Sequence, residues 1–236
     1  MKFVFISDTH GKHEQIVLPP GDVLVHAGDF TMRGSLPEVS AFLDWFEQQP
    51  YRYRILVAGN HDFLAEREPG IFRQLVPDKV IYLEDSTVTI EGIHLWGSPI
   101  TPWFFDWAFN RQRGADIRRH WDMIPAETDI LITHGPPYGI LDEVLRDPRP
   151  VGCRDLLRRV EELKPRVHVF GHIHEGYGQV EQNGTLFINA SVLDVRYQPV
   201  NKPVVVDWAA AVSGDANTGL PRDALPPTPE GELPSG

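Results

Sequence analysis

Five short segments of the sequence carry side chains able to hold a metal ion, and each comes directly after an apolar run. Asp8-Thr9-His10 follows Lys2–Ile6, Asp29 follows Val23–His26, and Asn60-His61-Asp62 follows Arg54–Ala58. His134 closes Ile130–Thr133, and Gly171-His172-Ile173-His174 closes Val167–Phe170. A lone Asp after a strand is ordinarily a turn or cap residue, but five strand ends that all deliver His, Asp or Asn point to one site. Ligands in α/β sheets gather beyond the carboxyl ends of the strands. Gly11, Gly28, Gly59, Gly135 and Gly171 flank these residues and would permit tight turns. Asp8, His10, Asp29, Asn60, His134, His172 and His174 make seven oxygen and nitrogen ligands. A structural zinc would need four, usually including Cys, and Cys153 stands alone. Seven ligands with one shared carboxylate suit two divalent ions of the Mn, Fe, Ni or Zn kind. Two-metal sites, with ions ~3.5–4 Å apart, serve phosphoryl chemistry.

The elements that must position these residues follow from the apolar pattern. Further runs at Val80–Leu83, Val88–Gly97, Leu186–Ala190 and Pro203–Asp207 are rich in Val, Ile and Phe and mostly end at Gly, Asp or Pro. They read as strands buried on both faces. Leu36–Gln48 places Val39, Phe42, Leu43 and Phe46 at helical spacing, and Cys153–Leu163 does so with Leu156, Leu157, Val160 and Leu163 before Pro165 stops it. Asn183-Gly184 reads as the turn of a hairpin formed by Gly178–Gly184 and Leu186–Ala190. The alternation of strand and helix early, with hairpins late, implies mixed sheets covered by helices.

Composition sets the outer limits. The 236 residues are 42% apolar and 23% charged, enough to bury a large core without disulfides. Asp and Glu number 33 against 22 Lys and Arg, and the resulting charge of −11 disfavours non-specific nucleic-acid binding. No apolar stretch approaches the ~18 residues of a membrane span, and no signal-peptide pattern opens the chain. With a single cysteine, the expected location is the cytoplasm. Residues 1–211 read as one domain and 212–236 as a Pro- and Gly-rich tail.

The order Asp-x-His, Gly-Asp, Gly-Asn-His-Asp, Thr-His-Gly-Pro-Pro and Gly-His-x-His resembles the calcineurin-like metallophosphoesterase superfamily. Gly97-Ser98-Pro99, Trp103-Phe104, the run from Gly171 to Gly178, and Ile188-Asn189-Ala190-Ser191 resemble its metallophosphoesterase-domain-containing branch, related to class III cyclic-nucleotide phosphodiesterases. The resemblance implies a four-layer α-β-β-α sandwich of two mixed sheets flanked by helices. It also implies that Asp8, His10 and His174 hold one metal, Asn60, His134 and His172 hold a second, and Asp29 bridges them. Manganese is the expected metal, with Fe, Zn or Ni as alternatives.

By the same resemblance His61 is the catalytic histidine, protonating the leaving oxygen, with Asp62 as its orienter or as a helix-start residue. A hydroxide bridging the metals would attack phosphorus in line. The implied activity is hydrolysis of phosphodiesters, either cyclic nucleotides or small aryl phosphodiesters. A nucleotide phosphomonoesterase and a nucleotide-binding scaffold are the alternatives. Protein phosphatases of the superfamily read Gly-Asp-x-x-Asp-Arg-Gly, whereas here Met32 replaces the second acid, which disfavours that activity. Arg33 is a candidate phosphate contact. Trp103 and Phe105, within the aromatic segment Trp103–Phe109, are candidates to stack a nucleobase. Otherwise that segment is a packed loop or a face between two copies. The expected partner is a small, nucleotide-like phosphoester.

Overall fold

The computed structural model describes residues 1–145 and 149–209, and the tail read at 212–236 lies outside the described residues. The chain runs β1 (Lys2–Ile6), β2 (Val23–Ala27), α1 (Leu36–Glu47), β3 (Tyr53–Val57), α2 (Phe63–Arg67), α3 (Pro69–Leu75) and β4 (Val80–Tyr82). Next come β5 (Ser86–Ile90), β6 (Ile93–Ser98), β7 (Thr101–Pro102), β8 (Asn110–Arg111), α4 (Ala115–Trp121) and β9 (Ile130–Thr133). It ends with α5 (Arg154–Leu163), β10 (Val167–Phe170), β11 (Gly178–Gln182), β12 (Thr185–Asn189) and β13 (Val204–Asp207). Among the described residues no helix is long and apolar enough to cross a membrane.

Two sheets carry the architecture. One has the order β13-β1-β2-β3-β4 and the other β11-β12-β10-β9-β6-β5. In the first, β1 through β4 are parallel and only β13 runs against β1. In the second, β12, β10, β9 and β6 are parallel, flanked by antiparallel β11 and β5. Alternation along each strand builds two cores. Phe3, Phe5, Val25, Ile55 and Val57 of the first sheet pack with Leu95, Ile130, Ile132, Val169 and Ile188 of the second, so the sheets bury their inner faces on each other. The intervening Val4, Ile6, Leu24 and Leu56 face α1 through Val39, Phe42 and Phe46, while Leu131 and Phe170 belong to the cluster holding Ile117, Trp121, Leu156 and Val160 of α4 and α5. This is the sandwich of two mixed sheets flanked by helices.

Local signals account for the element ends. A capping box between Ser35 and Glu38, with Pro37 in the first turn, starts α1. The Cys153 thiol accepts from the Leu156 N–H at the start of α5, and Lys164 ends it in the left-handed conformation before Pro165. The run Val88–Gly97, read as one strand, is two. Glu91 and Gly92 at φ 50° and 80° turn the chain between β5 and β6, where Ile90 pairs with Ile93. Two consecutive left-handed residues match the twist of a tight hairpin, and the apolar residues on both sides hide that turn in a linear reading. The Asn183-Gly184 turn is present at φ 54° and 82°. Helices α2, α3 and α4, of five to seven residues, are too short to show a clear period.

The topology decides where chemistry can occur. The carboxyl ends of β1, β2 and β3 in one sheet and of β9 and β10 in the other come to the same edge of the sandwich. They are tied there by Ser7 N–H to Ala190 C=O (2.8 Å) and Val192 N–H to Ser7 C=O (3.0 Å).

Candidate metal centre and the adjoining cavity

All seven ligand candidates meet at that edge. Asp8, His10 and His174 offer ligand atoms within 4.8 Å of one another, and so do Asp29, His134 and His172. The side-chain amide oxygen Oδ1 of Asn60 stands 2.9 Å from His134 Nε2 and 2.7 Å from His172 Nδ1. Asp29 Oδ2 lies between the groups, 3.8 Å from His10 Nε2 and 3.3 Å from His134 Nε2. His61 forms a third trio with His10 and Asp29.

The backbone is bent to make this convergence. Asp8, His10, Asp29 and His172 all have left-handed φ, at 56°, 42°, 57° and 69°. Such residues cost on the order of 1–2 kcal/mol each, and strain of this kind collects at functional sites. Hydrogen bonds across the edge offset it: Asp8 N–H to Gly28 C=O (2.9 Å) and His10 N–H to Asp29 C=O (3.0 Å). Glycine is needed at Gly59 and Gly171 because of crowding. A Cβ on Gly59 would strike the Asp29 carboxylate, and one on Gly171 would strike Asp8 and Ser7.

The protonation pattern leaves lone pairs aimed at the cluster. His134 donates Nδ1–H to the Ala27 carbonyl (2.9 Å) and His174 donates Nδ1–H to that of Asp194 (2.9 Å), because a carbonyl only accepts. In their neutral forms both rings therefore present a bare Nε2 inward. Hydrogen bonds of this kind, made by the ring nitrogen that faces away from the site, fix the tautomer of metal-binding histidines. The bare Nε2 of His134 faces the Asn60 and Asp29 oxygens, so acceptors crowd a point that only a proton or a cation can satisfy. Burial alone would depress His134, but the Asp29 carboxylate raises its pKa to about 9. Burial holds His10 down to about 4, despite the Asp29 and Asp8 charges, so its ring is neutral. Burial would also raise both carboxylates, yet the surrounding imidazoles hold Asp8 and Asp29 below the usual range. Ionised carboxylates and unprotonated imidazole nitrogens are the forms that bind metal, so a cation at this point would displace the extra proton that Asp29 holds on His134, and the residues present fit two divalent cations. Asp8 is further held by the Ser191 hydroxyl (2.8 Å) and the His172 N–H (3.0 Å).

His61 sits over this cluster, half-buried. Its N–H donates to Asp29 Oδ1 (2.8 Å), and its Nδ1–H donates to the Met32 carbonyl (2.7 Å). The ring stacks on Trp107, with centroids 4.3 Å apart, and meets the His10 ring edge-on at 4.7 Å. The Met32 backbone thus orients His61, and the expectation that Asp62 does so is corrected. Asp62 is fully buried and accepts from the N–H groups of Gly59 (2.7 Å), Asp29 (3.0 Å) and Thr31 (3.0 Å), and from the Thr31 hydroxyl (2.7 Å). It shapes the loops that carry Asp29 and Asn60, and no side-chain cap bond ties it to α2. Burial, then the Asp29 charge, push it up to about 7.

Two cavities open beside these residues. One, of about 320 Å³, is lined by His10, Asp29, Asn60, His61, Trp107 and Tyr197 among others. The second, of about 490 Å³, is lined by Trp103, Arg113, Tyr138 and Arg154, and the two share Phe104, His172 and Ile173. Trp103 therefore lies at the second cavity. Phe105 is 73% exposed and lines neither, its ring packed on Phe104 at 4.5 Å. Arg33 is exposed and also lines neither. Trp107 belongs to the aromatic segment singled out in the sequence, where Trp103 and Phe105 are the stacking candidates, and Tyr197 went unrecognised. Tyr197 packs edge-on against His10 (4.9 Å) and His174 (5.3 Å) from a loop with no motif of its own.

Fold and donor cluster together describe a metal-dependent phosphoesterase, a hydrolase. The family model for calcineurin-like phosphoesterases matches residues 1–176. Human "Metallophosphoesterase domain-containing protein 1" is 44% identical over 229 residues, covering 87% of this chain and 70% of its own length, and the mouse protein aligns equally well. A UPF0046 protein of Caenorhabditis elegans is 38% identical over 218 residues, covering 87% of this chain and 74% of its own. A crystal structure only 16% identical aligns over 88% of this chain and 98% of that one with a TM-score of 0.62, and it shares the fold. The chain belongs to the calcineurin-like phosphoesterase family.

Proposed function

We propose that this protein hydrolyses phosphodiesters, small aryl diesters or cyclic nucleotides, with two divalent cations held by its strand ends. Asp8, His10 and His174 would hold one, and Asn60, His134 and His172 the other, with Asp29 reaching both. The all-oxygen-and-nitrogen donor set, without Cys, suits Mn, Fe, Ni or Zn, and manganese is the metal that the family resemblance favours. When bound, the ions supply Lewis acidity toward the phosphoryl oxygens and make water a nucleophile at neutral pH.

The chain's own residues supply the rest. The Met32 carbonyl keeps the proton of His61 on Nδ1, so the Nε2 atom is the one that exchanges a proton with the ester. Protonated there, His61 donates to the departing oxygen and offsets its charge. Trp107 holds the ring plane by stacking.

The observation that carries the diester reading is the pair of adjoining cavities. A monoester has one organic substituent to house and a diester has two. The space beside the cluster shares Phe104, His172 and Ile173 as lining with a second, larger space. The test compares the manganese-loaded protein on bis(4-nitrophenyl) phosphate and on 4-nitrophenyl phosphate, which share a leaving group. A higher kcat/KM for the diester is expected, and a higher value for the monoester would overturn the assignment.

A further inference from the structure

The second cavity is chemically unlike the first. None of its lining residues among those described is acidic, although the chain holds 33 Asp and Glu. Arg154 lays its guanidinium 3.4 Å over the centre of the Tyr138 ring. No hydrogen bond or carboxylate partner engages it among the described residues. Most other arginines nearby are neutralised: Arg118 and Arg158 pair with Asp155, Arg119 with Asp116, and Arg111 with Glu66. Among the described residues Arg113 binds only the carbonyls of Val151 and Gly152, at 2.8 Å each, and no carboxylate pairs with it there while it braces that wall.

The sequence after His134 builds this arrangement. Residues Gly135 to Tyr138 leave β9 and form an isolated bridge to the segment that enters α5: Cys153 N–H donates to Pro136 C=O (3.0 Å) and Tyr138 N–H to Cys153 C=O (3.1 Å). The pairing sets Tyr138 beside Arg154, one residue beyond Cys153. Trp103 and Phe104, 50% and 60% exposed, face the cavity from the aromatic loop. A guanidinium held flat on an aromatic ring keeps its edge donors for an anion. His172, a ligand candidate, lines the same cavity.

We infer that this cavity is an anion subsite, so that the preferred substrates are phosphodiesters whose non-leaving group is a ring bearing a second negative charge, a phosphate or carboxylate. The ring lies among Trp103, Phe104 and Tyr138, and the distant anion meets Arg154 and Arg113. In an acidic protein this local positive region also draws such substrates to the metal side. The inference rests on the diesterase reading above for its chemistry, but its binding component is separable from it.

The test uses two diesters with one leaving group, 4-nitrophenyl 4-carboxyphenyl phosphate and its 4-carbamoylphenyl counterpart, which differ only in the remote charge. The manganese-loaded wild-type protein is expected to favour the carboxylate by about tenfold in kcat/KM, the scale of one charge-assisted hydrogen bond. Arg154→Gln is expected to bring that ratio close to one, and Arg154→Lys to keep part of it. Raising the salt concentration should shrink the wild-type ratio, a reading that needs no variant to fold. In parallel, calorimetry compares binding of 4-carboxyphenylphosphonate and 4-carbamoylphenylphosphonate, which cannot be hydrolysed. Turnover with no preference, or with a preference that survives Arg154→Gln, overturns the subsite and leaves the diesterase reading standing. No turnover, with a binding preference that depends on Arg154, overturns the diesterase reading and leaves the subsite. No turnover and no preference removes both.

Discussion

The metal side and the adjoining cavity share a wall at His172 but are built on opposite principles. The metal side draws on five strand ends, nearly all buried, with backbones bent into the left-handed region at Asp8, His10, Asp29 and His172. Its ligands are locked by hydrogen bonds to backbone carbonyls and by the Ser191 hydroxyl. The cavity draws on loops and one helix start, its key side chains are largely exposed, and its charge is positive where the cluster is rich in carboxylate. Rigid strand ends place atoms to within the tolerance that chemistry needs. Loops on the same scaffold are where specificity is written. Changes on the metal side should therefore alter turnover and metal content, and changes in the cavity should alter which substrate is chosen.

The largest expected effect that sharpens this contrast is at His61. His61→Ala should slow turnover by ~10²–10⁴-fold, the range for lost general acid–base help, while elemental analysis finds the metal content kept. The loss should be greater for alkyl diesters, whose leaving oxygen needs a proton, than for nitrophenyl diesters. A parallel loss of metal would place His61 among the ligands, with His10 and Asp29.

A smaller effect separates the frame from the chemistry. Asp62→Ala strands the N–H groups of Asp29, Gly59 and Thr31. Each buried donor left unpaired costs ~1–3 kcal/mol, and in a chain of this size each kcal/mol lowers the melting temperature by about 2–4 °C. Melting curves should fall accordingly. A variant of unchanged melting temperature but altered pH–rate profile would return Asp62 to a catalytic role.

The smallest effect concerns two histidines beneath the metal side. His26 accepts from the Gly28 N–H at Nδ1 (3.2 Å) and stands 2.9 Å from the Thr9 hydroxyl at Nε2, while His168 stands 2.9 Å from the Thr133 hydroxyl. Burial lowers both from 6.5 to about 3. With the folded pKa depressed, protons favour the unfolded chain. Stability is therefore full above pH 6.5 and declines as pH falls toward 3, by up to about 1.4 kcal/mol per pH unit for each histidine. Denaturant unfolding at pH 7, 6 and 5 checks the slope, and His168→Gln should flatten it.

Much of this site was legible in the sequence because its ligands sit in short motifs that follow strands that read plainly: Asp8 with His10, Asp29 after Gly28, and His172 with His174. The sandwich followed from the same runs together with the family resemblance. What escaped depends on contacts distant along the chain. Tyr138 and Arg154 meet only because the loop after β9 pairs with the entry to α5. Met32 contributes its backbone, which no side-chain pattern reveals, and this is why Asp62 looked like the orienter of His61. Flanking glycines suggested the tight turns, yet Asp8, His10, Asp29 and His172 take left-handed φ themselves. The Glu91-Gly92 turn lies inside Val88–Gly97, where apolar residues on both sides make the run read as one strand.

The central claim is that seven strand-end residues hold two divalent cations around Asp29 for phosphodiester hydrolysis. The most direct test strips the protein with a chelator, titrates manganese back, and follows bound metal and bis(4-nitrophenyl) phosphate hydrolysis together for the wild type and Asp29→Asn. The account predicts no turnover without metal, full recovery at two ions per chain, and neither the second ion nor the recovery in Asp29→Asn. Hydrolysis that survives complete removal of metal, or full recovery at a single ion, would contradict it.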